Sequence, residues 1–143
     1  MIAVEEALSL VLKNSFSIRE TETLPLEKCL GKCLANSIQA PINLPTFSLS
    51  SMDGYALCLH DSNSYIIKGE IKAGEASNPP LLPGECVRIF TGAVVPNAAN
   101  AVIMQEKTIR ENKVLTIQTP VKNGENIRSV GSQVQKGDFP LEK

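Results

Sequence analysis

Prolines divide the second part of this chain into pieces that are too short for long helices. Six of them lie between Ala40 and Asn100, at positions 41, 45, 79, 80, 83 and 96. A proline removes a backbone donor and breaks a helix or a central strand, so it belongs in turns and at edges. The chain here is rich in β-branched residues, which favour strands. The strand-length runs are residues 65–67, 86–90, 101–104 and 114–117.

Turn residues between these runs predict how the strands are connected. Asn78 precedes two prolines, Gly84 follows one, and residues 111–113 have the composition of a hairpin tip. Several short strands separated by turns are typical of a compact β-barrel or sandwich. We therefore predict a β-rich subdomain over residues 41–132.

Two helices are predicted before the β-rich region. Val4, Leu8 and Leu12 repeat at the spacing of one helical face, which predicts a helix over residues 1–14. A second helix is predicted over residues 24–36, because the residue before it suits an N-cap and its leucines and cysteines form an apolar stripe. The predicted fold class is α+β, in which an elongated helix-containing subdomain carries the β-rich subdomain as an insertion.

The elongated subdomain is expected to comprise residues 1–40 together with residues 133–143. Glycine-containing turns after residue 123 lead the chain out of the β-rich part. The sequence then ends without a helix or strand that closes the fold. We therefore expect the sequence to be truncated at this end.

Charge and composition exclude several classes of function. The net charge is -1 with both signs interspersed, so no electrostatic footprint points to nucleic acid or an anionic membrane. Aromatic residues make up 4% of the chain, which leaves few side chains to stack on a base. No apolar run approaches the ~20 residues needed to cross a bilayer. Because the N-terminus is acidic where a signal peptide is basic, we expect a cytoplasmic protein.

Cysteines raise the question of disulfides or a metal site. Cys29 and Cys33 are the only two that are close in sequence, and the single histidine, His60, has no obvious ligand companions. In a chain without a signal peptide, buried thiols are the favoured interpretation of these two and of Cys58 and Cys86.

Two glycine-containing loops carry the residues that are best suited to chemistry. One loop reads Ser51-Met52-Asp53-Gly54 and places a carboxylate beside a residue of wide backbone freedom. The other reads Thr91-Gly92, and a hydroxyl with a flexible backbone suits a phosphate or an oxyanion. From residue types alone, ordinary turn chemistry is the stronger interpretation at both loops.

The order of these and other motifs resembles the N-terminal part of the molybdopterin molybdenumtransferase family, of the MoeA and gephyrin E-domain type. The matching segments are residues 4–8, 24–27, 40–45, 51–56, 73–74, 83–85, 88–93, 102–106 and 124–131. Any one of them is a weak signal, but eight or more in family order are a strong one.

This resemblance implies that molybdate is inserted into adenylylated molybdopterin and that AMP is released. A site in which two anions meet calls for cationic groups, a divalent cation and carboxylates. By match to the family, Asp53 and Thr91 are the catalytic candidates, and Asp53 is the candidate ligand for magnesium. The candidate substrate-binding residues are Ser51, Met52, Gly54, Gly92, Glu106 and Arg128. For the last two, a surface ion pair is an equally good interpretation.

The chain departs from the family pattern in composition and in extent. Ser48, Asn100 and Gln133 stand where members usually carry acidic residues, and their neutral side chains weaken binding of a divalent cation. The resemblance further implies a homodimer and a molybdopterin-binding α/β domain, in cis or in trans, on which the first helix packs. We therefore expect the isolated chain to hold half of a cleft and to be inactive.

Two other functions remain open at this point. A non-catalytic assembly or dimerisation module of the same fold is favoured by the missing carboxylates and opposed by the retained Asp53 and Thr91. A free-standing barrel that binds a small ligand would instead show a closed pocket and be a monomer.

Overall fold

The computed structural model describes residues 2–16, 20–75 and 77–142, which form two compact units. The smaller unit is Met1–Ser37 with Glu142–Lys143, and the larger unit is Ile38–Leu141. Within the described ranges, no helix has the length and apolar character needed to span a bilayer.

The smaller unit contains the helix α1, Val4–Asn14, where the apolar spacing predicts one. Acidic residues lie in its first turn and Lys13 lies in its last, as the helix dipole favours. None of its side chains is buried, and Val4 and Leu8 of the apolar stripe are 78% and 58% exposed. The first predicted helix is therefore confirmed, and its apolar face is solvent-accessible.

The second predicted helix, over residues 24–36, is wrong. The chain makes only a short 3-10 helix at Leu26–Lys28 and then passes through Gly31, which has a φ of 78°. A residue in the left-handed region does not continue a right-handed helix. Leu26 and Leu30 of the expected apolar stripe are 87% and 97% exposed. A short helix depends on burial of its apolar face, and this segment lacks that burial.

The interpretation of the cysteines as buried thiols is confirmed for Cys86 and wrong for two others. Cys29 and Cys33 are exposed, Cys58 is partly buried, and all four thiols are free. The two exposed thiols lie in the segment whose predicted helix does not form. The apolar helical face on which these two thiols were expected to be buried is therefore not formed.

The larger unit is built on a six-stranded sheet and a separate two-stranded sheet. Its strands are β1 Leu49–Ser50, β2 Gly54–Leu57, β3 Ser64–Ile71, β4 Glu85–Ile89, β5 Ala101–Met104, β6 Thr108–Glu111, β7 Val114–Ile117 and β8 Ile127–Arg128. The order in the larger sheet is β5-β2-β4-β3-β7-β6, and β1 pairs with β8. The four predicted strand runs are confirmed, and so is the β-rich part of the α+β prediction. The strands form an open sheet rather than a closed barrel.

The strand β2 lies at the centre of the hydrophobic core. It is antiparallel to both of its neighbours, β4 and β5, and all four of its residues are buried. Ala56 packs in one apolar cluster, whereas Tyr55 and Leu57 pack in a second one. Because successive side chains of a strand point to opposite faces, both faces of the sheet are covered here. The loop that enters β2 is thus attached to a rigid element.

Two further expectations concern the ends of the β-rich region. The hairpin tip predicted at residues 111–113 is confirmed between β6 and β7, with Asn112 at a φ of 56°. In the C-terminal segment, Leu141 forms a bridge with Ile38, and residues 133–141 belong to the larger unit. The predicted division into a dimerisation part and a cleft-bearing part concerns function, and it stays a prediction.

Candidate functional site

Asp53 and Thr91 are hydrogen-bonded to each other at one end of the large sheet. The backbone N–H of Thr91 donates to Oδ1 of Asp53 at 2.8 Å, and the Thr91 hydroxyl donates to the same oxygen at 2.7 Å. The pairing of β2 with β4 brings them together, because Gly54 at the start of β2 lies opposite Ile89 at the end of β4. Residues 38 positions apart in the sequence therefore form one unit.

The carboxyl group of Asp53 is exposed and favours its ionised form. The hydrogen bonds from the Thr91 backbone and hydroxyl lower the pKa of Asp53, and the nearby charge of Arg88 adds to this against an opposing effect of desolvation. Within the described part of the chain, Oδ2 of Asp53 accepts no hydrogen bond. One carboxylate oxygen is therefore free to contact a ligand.

The turn that carries Thr91 has no backbone donor to spare. The N–H of Ala93 donates to the carbonyl of Phe90 at 2.9 Å and closes a turn in which Gly92 has a φ of 82°. The N–H of Gly92 donates to the carbonyl of Ser50 at 2.9 Å. Since the N–H of Thr91 donates to the carboxylate, all three amides of residues 91–93 are used internally. This turn does not form a ready anion-binding nest.

The loop before β2 is fixed by its own hydrogen bonds. Ser50 is buried, and its hydroxyl donates to the carbonyl of Met52 at 2.6 Å. The N–H of Ser51 donates to the carbonyl of Asn126 at 3.0 Å. The Met52 side chain is partly exposed beside the carboxylate-bearing residue that follows it. The loop is therefore a defined structure that presents Met52 and Asp53 to solvent.

Glycine at position 54 meets a packing requirement. It is buried, and a β-carbon built there would overlap the carbonyl oxygen of Ile103 in the neighbouring strand β5. The close approach of two backbones thus accounts for this glycine without reference to a ligand.

Sequence reasoning missed Arg88 and Gln105 as members of the site. Nη1 of Arg88 donates to the carbonyl of Gly54 at 2.7 Å, and its Nη2 donates to Oε1 of Gln105 at 2.6 Å. The N–H of Gln105 donates to the carbonyl of Asp53 at 3.1 Å. One signal was available, because Arg88 interrupts an apolar strand, where a charge is costly unless its donors are used.

Glu106 is connected to Asp53 through hydrogen bonds of Gln105, whereas Arg128 lies in the separate two-stranded sheet. Oε1 of Glu106 accepts from Nε2 of Gln105 at 3.2 Å, which joins it to the same network. Arg128 is exposed and lies opposite Leu49 in the pairing of β1 with β8. Neither residue belongs to an ion pair among the described residues, so the surface ion-pair interpretation is wrong for both.

A divalent cation would find one suitable protein ligand here. No three His, Cys, Asp or Glu side chains of the described ranges lie together as a cluster that could hold a metal. Mg²⁺ needs only one or two carboxylates when it also binds substrate phosphates and waters. The free Oδ2 of Asp53 fits one such ligand position.

Two cavities lie at the surface of the larger unit, away from Asp53. One of about 310 Å³ is lined by Phe47, Ser77, Asn78, Val94 and Asn97. The other, of about 170 Å³, is lined by Ser48, Val95, Pro96, Asn97, Ala99 and Ile127. None of the predicted site residues lines either of these two cavities.

Comparison with known proteins gives consistent matches. A family model described as "MoeA N-terminal region (domain I and II)" matches residues 2–143. Molybdopterin molybdenumtransferase of Haemophilus influenzae is 37% identical over 147 residues, which cover 100% of this chain and 36% of that protein. The enzyme of the same name from Staphylococcus aureus strain Mu50 is 36% identical over 150 residues, which cover 99% of this chain and 36% of that protein.

The solved structures agree with the family model. A crystal structure of the molybdopterin biosynthesis moeA protein from Pyrococcus horikoshii OT3 superposes with a TM-score of 0.85 at 33% identity. That match covers 97% of this chain and 39% of the other chain. The present chain thus spans little more than a third of the length of the curated relatives it matches.

Proposed function

The chain belongs to the MoeA N-terminal family, and on this premise we propose that it supplies one wall of a molybdenum-insertion site. The proposed reaction inserts molybdate into adenylylated molybdopterin and releases AMP, as part of molybdenum cofactor biosynthesis. Relatives named molybdopterin molybdenumtransferase support it. The observation that carries it in this chain is the ionised, exposed carboxylate of Asp53, which Thr91 holds with one oxygen free.

Asp53 acts directly on the reactants in this proposal. Its Oδ2 orients a water or a molybdate oxygen, or holds one position around magnesium. When bound, the cation would offset the negative charge of the substrate phosphate and of molybdate. Thr91 acts through Asp53, because its hydroxyl and its N–H both donate to the carboxylate.

In this proposal, four of the remaining candidates line the approach to that carboxylate. Met52 and Ser51 present side chains from the same loop, and Glu106 is connected to it through Gln105. Arg128 offers a positive charge that no carboxylate of the described residues neutralises. Such a charge suits an anionic substrate.

We also propose that a molybdopterin-binding domain, in cis or in trans, forms the opposite wall of the cleft. The share of its relatives that the chain spans, 36%, supports this. The exposed apolar face of α1 supports association with that domain, because large exposed apolar patches mark interaction sites. The functional assembly is proposed to be a homodimer.

The decisive experiment follows AMP release. The chain is assayed with its molybdopterin-binding domain, in one polypeptide or added separately, with adenylylated molybdopterin, molybdate and magnesium. Asp53→Asn is expected to lower the rate by roughly 10²-fold, the usual order for loss of an acid–base or positioning group. Asp61→Asn, which removes another exposed acid, serves as the matched control and should retain full activity. An active assembly whose rate is unchanged by Asp53→Asn would refute the assignment.

The second candidate function is a non-catalytic assembly module, and the exposure of α1 favours it. In that case Leu8→Ser would abolish self-association or binding of the partner domain, while Asp53→Asn would change neither. Light scattering checks that each variant assembles, and the AMP-release assay separates the two functions, because a non-catalytic module predicts the same AMP-release rate for the Asp53→Asn assembly as for the unmodified one.

A further inference from the structure

Arg88 is a partly buried cation in the middle of an apolar strand. It lies in β4 between Val87 and Ile89, which are both buried. Its guanidinium carbon lies 4.6 Å from the ring centre of Phe90 and 5.4 Å from that of Tyr55. Arginine is well suited to such a place, because its weakly hydrated plane stacks on aromatic rings while its edge donates hydrogen bonds.

The guanidinium donates to three segments that surround Asp53. Nη1 donates to the carbonyl of Gly54 at 2.7 Å and to that of Ile89 at 3.2 Å. Nη2 donates to Oε1 of Gln105 at 2.6 Å. Gly54 directly follows Asp53, and Ile89 precedes the turn that carries Thr91. The third segment is also connected, since the N–H of Gln105 donates to the carbonyl of Asp53 at 3.1 Å.

We propose that Arg88 is the positioning residue of this site, whose planar set of donors fixes the loop of Asp53 against the turn of Thr91. The catalytic consequence of this role rests on the proposed function, whereas the positioning itself is a property of the free chain. Lysine cannot replace it, because an ammonium group lacks the rigid fork that reaches several acceptors in one plane.

Electrostatics supports the same assignment. Among the described residues, no ion pair includes Arg88, so its charge is not cancelled by a contacting carboxylate. Its donors go instead to the carbonyl groups of Gly54 and Ile89 and to Oε1 of Gln105. The hydrogen bonds of Arg88 thus serve to position the segments around Asp53.

The test uses the amide signal of Thr91 in the NMR spectrum of the full chain. This N–H donates to Asp53, so its chemical shift follows the carboxyl group as pH is lowered. Arg88→Lys and Arg88→Met are each expected to abolish most of that pH-dependent shift and to speed amide hydrogen exchange at Thr91 at least tenfold. Gln105→Ala, which removes one of the three acceptors, should have a smaller effect of the same sign.

Arg110→Lys is the matched control, because Arg110 lies on the edge strand β6 and bonds only locally, from Nε to the carbonyl of Asn112 at 3.1 Å. It should leave the Thr91 signal unchanged. If Arg88→Met does not fold, Arg88→Lys and Gln105→Ala carry the test. A Thr91 amide that titrates and exchanges as in the unmodified chain in both of these variants would overturn the proposal.

The AMP-release assay distinguishes this inference from the proposed function. Arg88→Lys is expected to lower kcat by roughly 10- to 100-fold with KM little changed, as misplacement of a reacting group does. If Asp53→Asn is inactive but Arg88→Lys keeps full kcat, the positioning role is refuted and the proposed function stands. If Asp53→Asn is fully active while Arg88→Lys still alters the Thr91 amide, the proposed function is refuted and the positioning role stands.

Discussion

Gly54 approaches the carbonyl oxygen of Ile103 so closely that any β-carbon at position 54 would overlap that oxygen. Both partners are backbone atoms of the adjacent strands β2 and β5, so neither can move aside as a flexible side chain would. The carbonyl of Gly54 also accepts a hydrogen bond from Arg88. The packing of the core and the placement of Asp53 therefore depend on the same glycine.

Substitution of this glycine should destabilise the chain severely. Gly54→Ala is expected to lower the free energy of unfolding by roughly 2 to 4 kcal/mol, because overpacking forces the backbones of two paired strands in the core apart. Urea denaturation measures the change. Gly69→Ala is the control, since a β-carbon at Gly69 in β3 would meet no atom, and it should be neutral or stabilise by about 0.5 kcal/mol. Equal effects of the two substitutions would contradict the prediction.

The ionised carboxylate of Asp53 should make stability depend on pH in the acid range. Its pKa in the folded chain lies below the ordinary value of 3.8, so folding favours the charged form. The resulting stabilisation is complete above the ordinary pKa and disappears as pH falls through the lower folded-state pKa. The stability difference between the unmodified chain and Asp53→Asn should therefore shrink between about pH 5 and about pH 2.

Urea denaturation of both proteins across that range measures the difference. Glu85→Gln offers a comparison with the same expected direction, because the N–H of Leu82 and the ammonium of Lys68 lower the pKa of Glu85. A difference for Asp53→Asn that stays constant down to about pH 2 would show that Asp53 is not selectively ionised in the folded chain.

Thiol reactivity should separate the cysteines by burial. Burial raises the pKa of Cys86 to about 12, so almost no thiolate is present near pH 8. Cys29 and Cys33 are exposed and should react readily with a disulfide reagent such as DTNB in the native chain. Cys86 should react only after denaturation, when all 4 thiols become accessible. Mass spectrometry of the labelled peptides identifies each site, and native labelling of Cys86 at the rate of Cys29 would contradict the prediction.

Elements dominated by local pattern could be predicted from the sequence. The run at residues 101–104 is apolar, short and preceded by a proline-containing turn, and it forms the buried strand β5. The hairpin tip at Asn112 follows from residues that tolerate a positive φ. These patterns depend only on residues a few positions apart, so they can be recognised without knowledge of the tertiary structure.

Elements that depend on distant partners could not be predicted in this way. The segment over residues 24–36 has a helical apolar stripe, but the leucines of that stripe, Leu26, Leu30 and Leu34, remain exposed, and Gly31 is left-handed. The role of Arg88 is invisible in its own neighbourhood, because its acceptors at Gly54 and Gln105 are brought to it by the pairing of β2 with β4 and β5. The residue type shows that a charged side chain lies in a strand, but only the pairing register of the strands shows which hydrogen-bond acceptors it contacts.

The hydroxyl of Thr91 provides the last test, because it can be removed while the backbone hydrogen bond to Asp53 is kept. Thr91→Val preserves the shape of the side chain but cannot donate to Oδ1, so the pKa of Asp53 should rise towards its ordinary value. Thr91→Ser retains the donor and should restore the low pKa. Carbon-detected NMR titration of the Asp53 carboxyl group measures both variants. If Thr91→Val and Thr91→Ser titrate alike, the hydroxyl does not hold the carboxylate, and Thr91 would have to act on the substrate directly.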